Sequence, residues 1–327
     1  MKRFTDWLVY LAVRLFICIV QTLPIQCCAT IARALSVLAC DVLRIRETVV
    51  DENLQQAFPE WTVERRRQIA RQMWQHLALL LCELAHVPRK IHPTNWREYL
   101  KIRDPALQVE MLLSTRPVVM VSGHFGNFEV GGYAAGLLGF PTFTVARTLD
   151  NPYLDKFVQR FRGATGQFML PKKNSAQRIA QVLEQGHALA FLGDQYAGAK
   201  GCWVNFFGRP ASCHKAIAMF SLTTGAPLLV TYARRLNRPL HFEIGVAGVV
   251  DPERGDPSAS DARKLTQWYN NLLEQEILKA PDQYWWLHRR WKGQPRKRRR
   301  RTDAAEDQPS PPKTVQGIRA RDSETSS

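Results

Sequence analysis

The run Pro117-Val118-Val119-Met120-Val121-Ser122 constrains this chain more than any other segment: it is apolar throughout, rich in β-branched residues and stopped by Gly123. A strand with no polar face must be covered on both sides, which is the habit of parallel sheets sandwiched by helices. Residues 188–192 read as a second buried strand, 227–233 as a third and 240–246 as a fourth. Helical patterns surround these runs. Over 62–84 a Thr62 cap is followed by Ile69, Met73, Leu77, Leu80 and Leu84 at steps of three and four, with Pro88 and Pro93 ending the region. A second helix is expected over 175–185, capped by Asn174 or Ser175 and followed by Gly186. A third is expected near 261–279, carrying Leu265, Trp268, Leu272, Leu273 and Ile277. The alternation predicts an α/β fold with a mostly parallel or mixed central sheet flanked by helices. At 327 residues and 45% hydrophobic content, the chain can bury one large core or two small ones.

The ends differ from this middle. Residues 7–23 are apolar apart from Arg14, Gln21 and Thr22, and as a helix they reach about 26 Å, barely the thickness of a bilayer core. A membrane-inserted or interfacial helix, a helix buried within the protein, and a signal peptide cleaved near Ala32-Arg33-Ala34 all fit that pattern, with Arg14 arguing against a clean span. At the other end, residues 289–301 hold nine Arg or Lys and no acid, while the last 26 residues carry five acids against three bases. Of the formal charge of +16, residues 1–288 therefore keep +9, which suits an anionic lipid surface or an acidic protein partner. From 294 the chain is nearly devoid of apolar residues and is expected to be a disordered tail. Its arginine run is too unspecific to argue for nucleic acid over lipid headgroups. The domain reading is a membrane-associating region at 1–44, a folded α/β domain at 45–293, to which the motifs below assign the chemistry, and a tail at 294–327. Seven cysteines, an odd number without a C-x-x-C pair, point to a reduced, cytosol-facing protein with no disulfide framework and no zinc site.

Chemistry concentrates in Ser122-Gly123-His124-Phe125-Gly126-Asn127-Phe128-Glu129. His124 follows a buried strand in a glycine-flanked turn, the place where open α/β sheets put active residues. Glu129 stands five positions on, at the start of the next helix, where a carboxylate could fix the imidazole tautomer so that the other ring nitrogen accepts a proton. Amides at that helix start could steady an oxyanion. H-x4-E is not a zinc spacing, and Ser122 lies outside G-x-S-x-G, so metal and serine-hydrolase chemistry are not expected. On residue types alone, a structural histidine remains an equal alternative.

The segment resembles the H-x4-[DE] block of the glycerolipid and lysophospholipid acyltransferase superfamily, and in its Glu form the late acyltransferases of lipid A biosynthesis. Further blocks match that family in order. Asn53-Leu54-Gln55-Gln56-Ala57-Phe58-Pro59 resembles its N-L-x-x-A-F-P, and Arg147 to Pro152 its R-x-x-x-N-P. Asp194-Gln195 and Phe206-Phe207-Gly208 resemble its D-Q and F-F-G, and Pro281 to Lys292 its closing P-x-Q-Y-x-W-x-H-R-R-[FW]-K. The resemblance implies fatty acyl transfer from acyl carrier protein to a hydroxyl of a Kdo-bearing lipid A precursor, at the cytoplasmic face of the inner membrane, with no cofactor. His124 would be the base and Glu129 its orienter. Arg147 would contact acceptor phosphate or polarise the acyl carbonyl, and Asn127, Asp194 and Gln195 would bind substrate or hold the site. Another glycolipid or a lysophospholipid as acceptor, and a non-catalytic membrane- or nucleic-acid-binding protein acting through its basic tail, are the alternatives. Trp285, Trp286 and Trp291 could face the membrane interface or pack in the core.

Overall fold

The computed structural model describes residues 2–146, 148–171 and 176–293. The expected tail and the caps Asn174 and Ser175 lie outside them. Pro24 separates two N-terminal helices, α1 (Lys2–Thr22) and α2 (Ile25–Val37). A short π-turn at Leu38–Val42 and a turn through Arg44 and Arg46 lead into α3 (Glu47–Ala57). The Thr62 hydroxyl then caps α4 (Val63–Lys90) by accepting from the Arg65 amide at 3.3 Å. This helix outruns its expected end at 84. Pro88 removes one amide near its last turn, but Ala85, His86 and Val87 are buried and keep that turn in place.

Strands and helices alternate from there: β1 (Leu100–Ile102), α5 (Pro105–Leu113), β2 (Val118–Ser122), α6 (Phe128–Leu137), β3 (Thr142–Ala146), α7 (Pro152–Gly163), β4 (Gln167–Pro171), α8 (Ala176–Glu184) and β5 (Ala188–Leu192). A hairpin follows, β6 (Cys202–Phe206) and β7 (Arg209–Cys213), then α9 (Lys215–Thr224), β8 (Leu228–Arg235), β9 (Phe242–Val250) and α10 (Ala262–Lys279). Seven strands form one sheet in the order β1-β9-β8-β2-β5-β3-β4. All neighbours run parallel except β8 and β9. The α/β fold with a mostly parallel sheet read from the sequence is therefore the fold observed. The four runs read as strands are β2, β5, β8 and β9, the last two displaced toward their carboxyl ends.

One face of the sheet is tightly filled. Val119, Val121, Leu189, Leu228 and Val230 are at most 1% exposed and pack with Ile217, Leu265, Tyr269 and Ile277. Trp286 joins this cluster, ringed by Phe58, Phe207 and Tyr284, and is a core residue, while the half-buried Trp291 packs against the cluster at Phe206.

α1 and the helical stretch Ile25–Val42, α2 continued through the π-turn, are long and apolar enough to cross a membrane by length and composition. α1 nonetheless lies along the domain. The Asp6 carbonyl accepts from Asn151, Tyr10 and Arg14 sit on Phe157 of α7, and Gln21 donates to the Ala85 carbonyl of α4. Arg14, itself exposed, lies at the flank of the packed face, its guanidinium 5.2 Å from the Phe157 ring. The opposite side exposes Phe4, Leu8, Leu11, Leu15 and Ile19, a stripe at steps of three and four.

Candidate active site

Parallel pairing of β2 with β5 brings the residues after Ser122 alongside those after Leu192. The Gly193 amide donates to the Ser122 carbonyl at 2.7 Å, and one residue further along, Asp194 meets His124. Asp194 Oδ2 accepts from the His124 backbone amide and Oδ1 from its ring Nδ1, both at 2.8 Å. With the Nδ1 proton so held, the Nε2 lone pair is free to accept, and the Gln195 amide nitrogen stands 3.4 Å from it. Burial by itself would raise the Asp194 carboxyl, yet the His124 charge and those two hydrogen bonds outweigh it and hold it well below the usual carboxylate range. Burial likewise lowers His124, but Asp194 first and Glu129 second prevail, so its pKa ends above the ordinary imidazole value.

This geometry corrects the expected partner of the histidine. Glu129 points to Arg162 of α7: Arg162 Nε donates to Glu129 Oε2 at 2.9 Å, and Nη2 donates to Oε1. The reason is the helix. Asn127 caps α6, so Glu129 leaves from its first turn toward α7, while Asp194 arrives from the adjacent strand end already aimed at Nδ1. Glu129 still influences His124 through its charge. The expectation for Asn127 changes as well. It is fully buried, its Oδ1 accepts from the Val130 amide and its Nδ2 donates to Glu83, so in this structure it anchors the turn. Gln195 does line the cavity described below, and Arg147 lies outside the described residues.

The turn itself is clamped from three sides. Gly126 has φ +59, and a Cβ there would sit 2.0 Å from the Ala233 carbonyl oxygen, so only glycine fits. His76 holds the Gly126 carbonyl at 3.1 Å and accepts from Arg235, which forks onto buried Glu83 at 2.7 and 2.6 Å. The closing motif supplies the third side. The Gln283 carbonyl accepts from the Gly126 amide at 2.9 Å, and the Trp285 amide donates to the His124 carbonyl at 3.0 Å. Trp285 and His288 then lie tilted against the imidazole, ring centroids 5.1 and 4.9 Å from it. Burial, then the His124 charge, lowers His288. Asn53 pins this strap by donating to the carbonyls of Trp286 and His288 at 2.7 and 2.6 Å. Asn151, from another matched block, caps α7, the helix that carries Arg162. The scattered sequence blocks are thus one assembly around His124. Arg162 and the Glu83–Arg235 pair escaped the sequence reading, since nothing in their local sequence distinguishes them from ordinary helix or strand charges, while His288 lay in the closing motif without a role assigned to it.

His124 opens onto a cavity of about 1120 Å3, larger than the ~300–1,000 Å3 of common ligand pockets. Most of it lies between α6 and the sheet. Met120, Ser122, Ala190, Thr144 and Thr231 form one wall and Gly131, Gly132, Ala134 and Ala135 the other, with Glu129 and Arg162 also in the lining. Gly132 sets the width there: a Cβ would fall 1.5 Å from Gln167 Nε2. Toward the amino ends of the strands, Met111, Val118, Ala188 and Leu229 close together into a small buried cluster.

The family model described as bacterial lipid A biosynthesis acyltransferase matches residues 1–293. The chain is 26% identical over 277 residues to a lipid A biosynthesis palmitoleoyltransferase of Escherichia coli K12, covering 84% of this chain and 87% of that one. It is 27% identical over 298 residues to a lipid A biosynthesis lauroyltransferase of the same strain, covering 88% and 92%. The crystal structure of a 1-acyl-sn-glycerophosphate acyltransferase from Thermotoga maritima aligns over 79% of this chain and 98% of its own, at 13% identity and a TM-score of 0.39. With its ordered motifs folded into one site and a match running from the first residue to the end of the described chain, this protein belongs to the bacterial lipid A biosynthesis acyltransferase family.

Proposed function

We propose that the enzyme transfers a fatty acyl group from acyl carrier protein to a hydroxyl of a Kdo-bearing lipid A precursor, at the cytoplasmic face of the inner membrane. The observation that carries this reading is the placement of His124. Its Nδ1 is held by Asp194, and it opens on a long, mainly apolar cavity. His124 Nε2 takes the proton of the acceptor hydroxyl as its oxygen attacks the thioester carbon. The tetrahedral intermediate then collapses, the C–S bond breaks, and the imidazolium returns the proton to the departing thiolate. Asp194 keeps the tautomer and stabilises the imidazolium without taking the proton. Gln195 donates to the reacting oxygens, a role supported by its amide nitrogen 3.4 Å from Nε2, and the Glu129–Arg162 ion pair lines the cavity wall. Arg147 follows Ala146, a cavity-lining residue, and keeps by resemblance its role toward acceptor phosphate or acyl carbonyl. The acyl chain lies along β2 and β5; from His124 down to Met120 is about 13 Å at ~3.3 Å per residue.

The bare stripe of α1 supports interfacial attachment, with the helix lying on the membrane while its other side stays on the domain. The basic body, +9 over residues 1–288, supports an acidic carrier protein as donor. The test is transfer from acyl carrier protein to the purified glycolipid, read by mass spectrometry. His124→Ala should cut kcat by about 10²–10⁴-fold at unchanged melting temperature. Glu129→Gln should lower kcat while leaving acceptor KM near the wild-type value. Near-normal turnover in a folded His124→Ala protein would sink the mechanism.

A further inference from the structure

A second cavity, of about 610 Å3, adjoins the first site on the far side of His288. Its lining is polar and cationic: Arg44, Arg46, Arg289 and Lys292, with Glu47 as the one carboxylate. Arg44 meets Glu47 loosely, at 3.8 Å, with both side chains more than half exposed. Arg46 donates to the Leu287 carbonyl at 2.8 Å, which positions its guanidinium without neutralising it. Among the described residues, no carboxylate forms an ion pair with Arg46, Arg289 or Lys292. The amino end of α3, an 11-residue helix, adds Thr48 and Val49 to the lining and its positive dipole end to the field.

Two features make this more than a basic surface. Arg44 and Arg46 both hold left-handed backbone, φ 48 and 53, in the turn that joins the apolar N-terminal helices to the domain. That conformation is disfavoured for arginine, and it projects two cations into one cleft where the chain leaves the lipid-facing helices. The second feature is His288. It lines this cavity, its ring lies 4.9 Å from that of His124, and its Nε2 is buried with no hydrogen-bond partner among the described residues. A buried polar atom without a partner calls for one.

We propose that this cleft seats an anionic group of the acceptor, a phosphate or a sugar carboxylate, and that His288 is the partition holding the acceptor hydroxyl at His124 from the far side. The proposal rests on the reading of the acceptor as an anionic glycolipid. It divides the labour of binding: the apolar slot takes the acyl chain, the basic cleft takes the charged sugar, and the reacting atoms meet at the imidazole between them. Arginine suits the task because its fork matches both oxyanions.

The experiment compares wild type with Arg289→Gln/Lys292→Gln, which alters two exposed side chains, and with Arg46→Gln and Arg46→Lys. Steady-state transfer is measured in detergent on three acceptors: the complete glycolipid, the same lipid dephosphorylated, and the lipid lacking its acidic sugar. Acceptor KM should rise about tenfold in the Gln variants, the scale of one lost charge-assisted hydrogen bond. Donor KM and melting temperature should stay put, and Arg46→Lys should recover part of the loss. One of the trimmed acceptors should show the raised KM already on wild type and gain little more on the variants, which identifies the group recognised. A rise in donor KM instead would assign the cleft to the carrier's phosphodiester arm. Lost adsorption to phosphatidylglycerol vesicles at unchanged acceptor KM would assign it to membrane headgroups. Either result overturns the proposal, as does unchanged KM throughout. Absence of product from wild type on every acceptor would overturn the glycolipid reading itself, and this site with it.

Discussion

Val121 and Met120 are neighbours on one strand of the central sheet, yet they live in different solvents. Val121 belongs to a face where Val119, Leu189 and Val230 are wholly enclosed by α9 and α10. Met120 faces α6 across a slot and is only partly buried, as are Ala190, Thr144 and Thr231. A strand in the middle of a seven-stranded sheet is ordinarily covered on both faces. Here one face holds the protein together and the other is left open, with glycines and alanines of α6 maintaining the gap.

The sharpest way to break that division is at the rim where the faces meet. Asp194→Asn removes the charge that fixes the His124 tautomer, and turnover should fall by about 10²–10⁴-fold. The pH profile carries a second signature. His124 must be neutral to act as base, and its pKa is raised, so activity in wild type is lost as pH falls through a midpoint above ~6.5. Without Asp194, burial prevails and the residual activity should persist to lower pH. An unmoved acid limb would mean that another group governs it.

On the filled face, Leu189→Ala should cost about 2–5 kcal/mol of stability, measured by denaturant unfolding, because nothing can relax into the void. Activity per folded molecule should hardly change. On α1, Leu15→Ser together with Ile19→Ser removes two exposed side chains worth ~1.5–3 kcal/mol each when buried in lipid, so vesicle adsorption should drop by tenfold or more. Detergent activity should survive; if it does not, the stripe serves the fold and not the membrane.

Ala190→Leu probes the open face. It should cost less than the ~1–3 kcal/mol of overpacking a filled core, since there is space to enter. The distribution of acyl chains transferred, read by mass spectrometry against a series of acylated carriers, should shift toward shorter ones. A shift in stability alone would mean that the slot is not where the chain lies. The smallest effect expected is that of salt on donor KM, which should rise as exposed charge attraction is screened over ~10 Å at 0.1 M.

Much of this was legible beforehand, and unevenly. Buried runs such as 118–122 and 188–192 announce themselves because a strand covered on both faces has no polar residue to confuse the pattern. β3, Thr-Phe-Thr-Val-Ala, borders the slot and carries threonines, and β4 ends in a proline, so neither reads as core. The β6–β7 hairpin turns on Phe207 and Gly208, both at positive φ, without the Asn-Gly signal that would reveal it. His124 was found from its place after a strand. Its true partner was 70 residues away, and only the parallel register of β2 and β5 brings the two together. The nearer carboxylate, Glu129, was the natural candidate because local spacing is all that a motif can express.

The strap from Gln283 to His288, which holds the Gly126 amide and the His124 carbonyl, has a consequence in time. It is the last part of the domain to leave the ribosome, long after the sheet's first strands. A nascent chain stopped before Pro281 is expected to carry every residue of the histidine–aspartate pair and still have an unset loop. Pulse-labelled, truncated chains should then bind lipid through the first helix, with no acyl transfer until residues 281–292 have emerged. Commissioning of the enzyme is thereby tied to the emergence of its closing motif, and a partial product docked on the membrane stays inert.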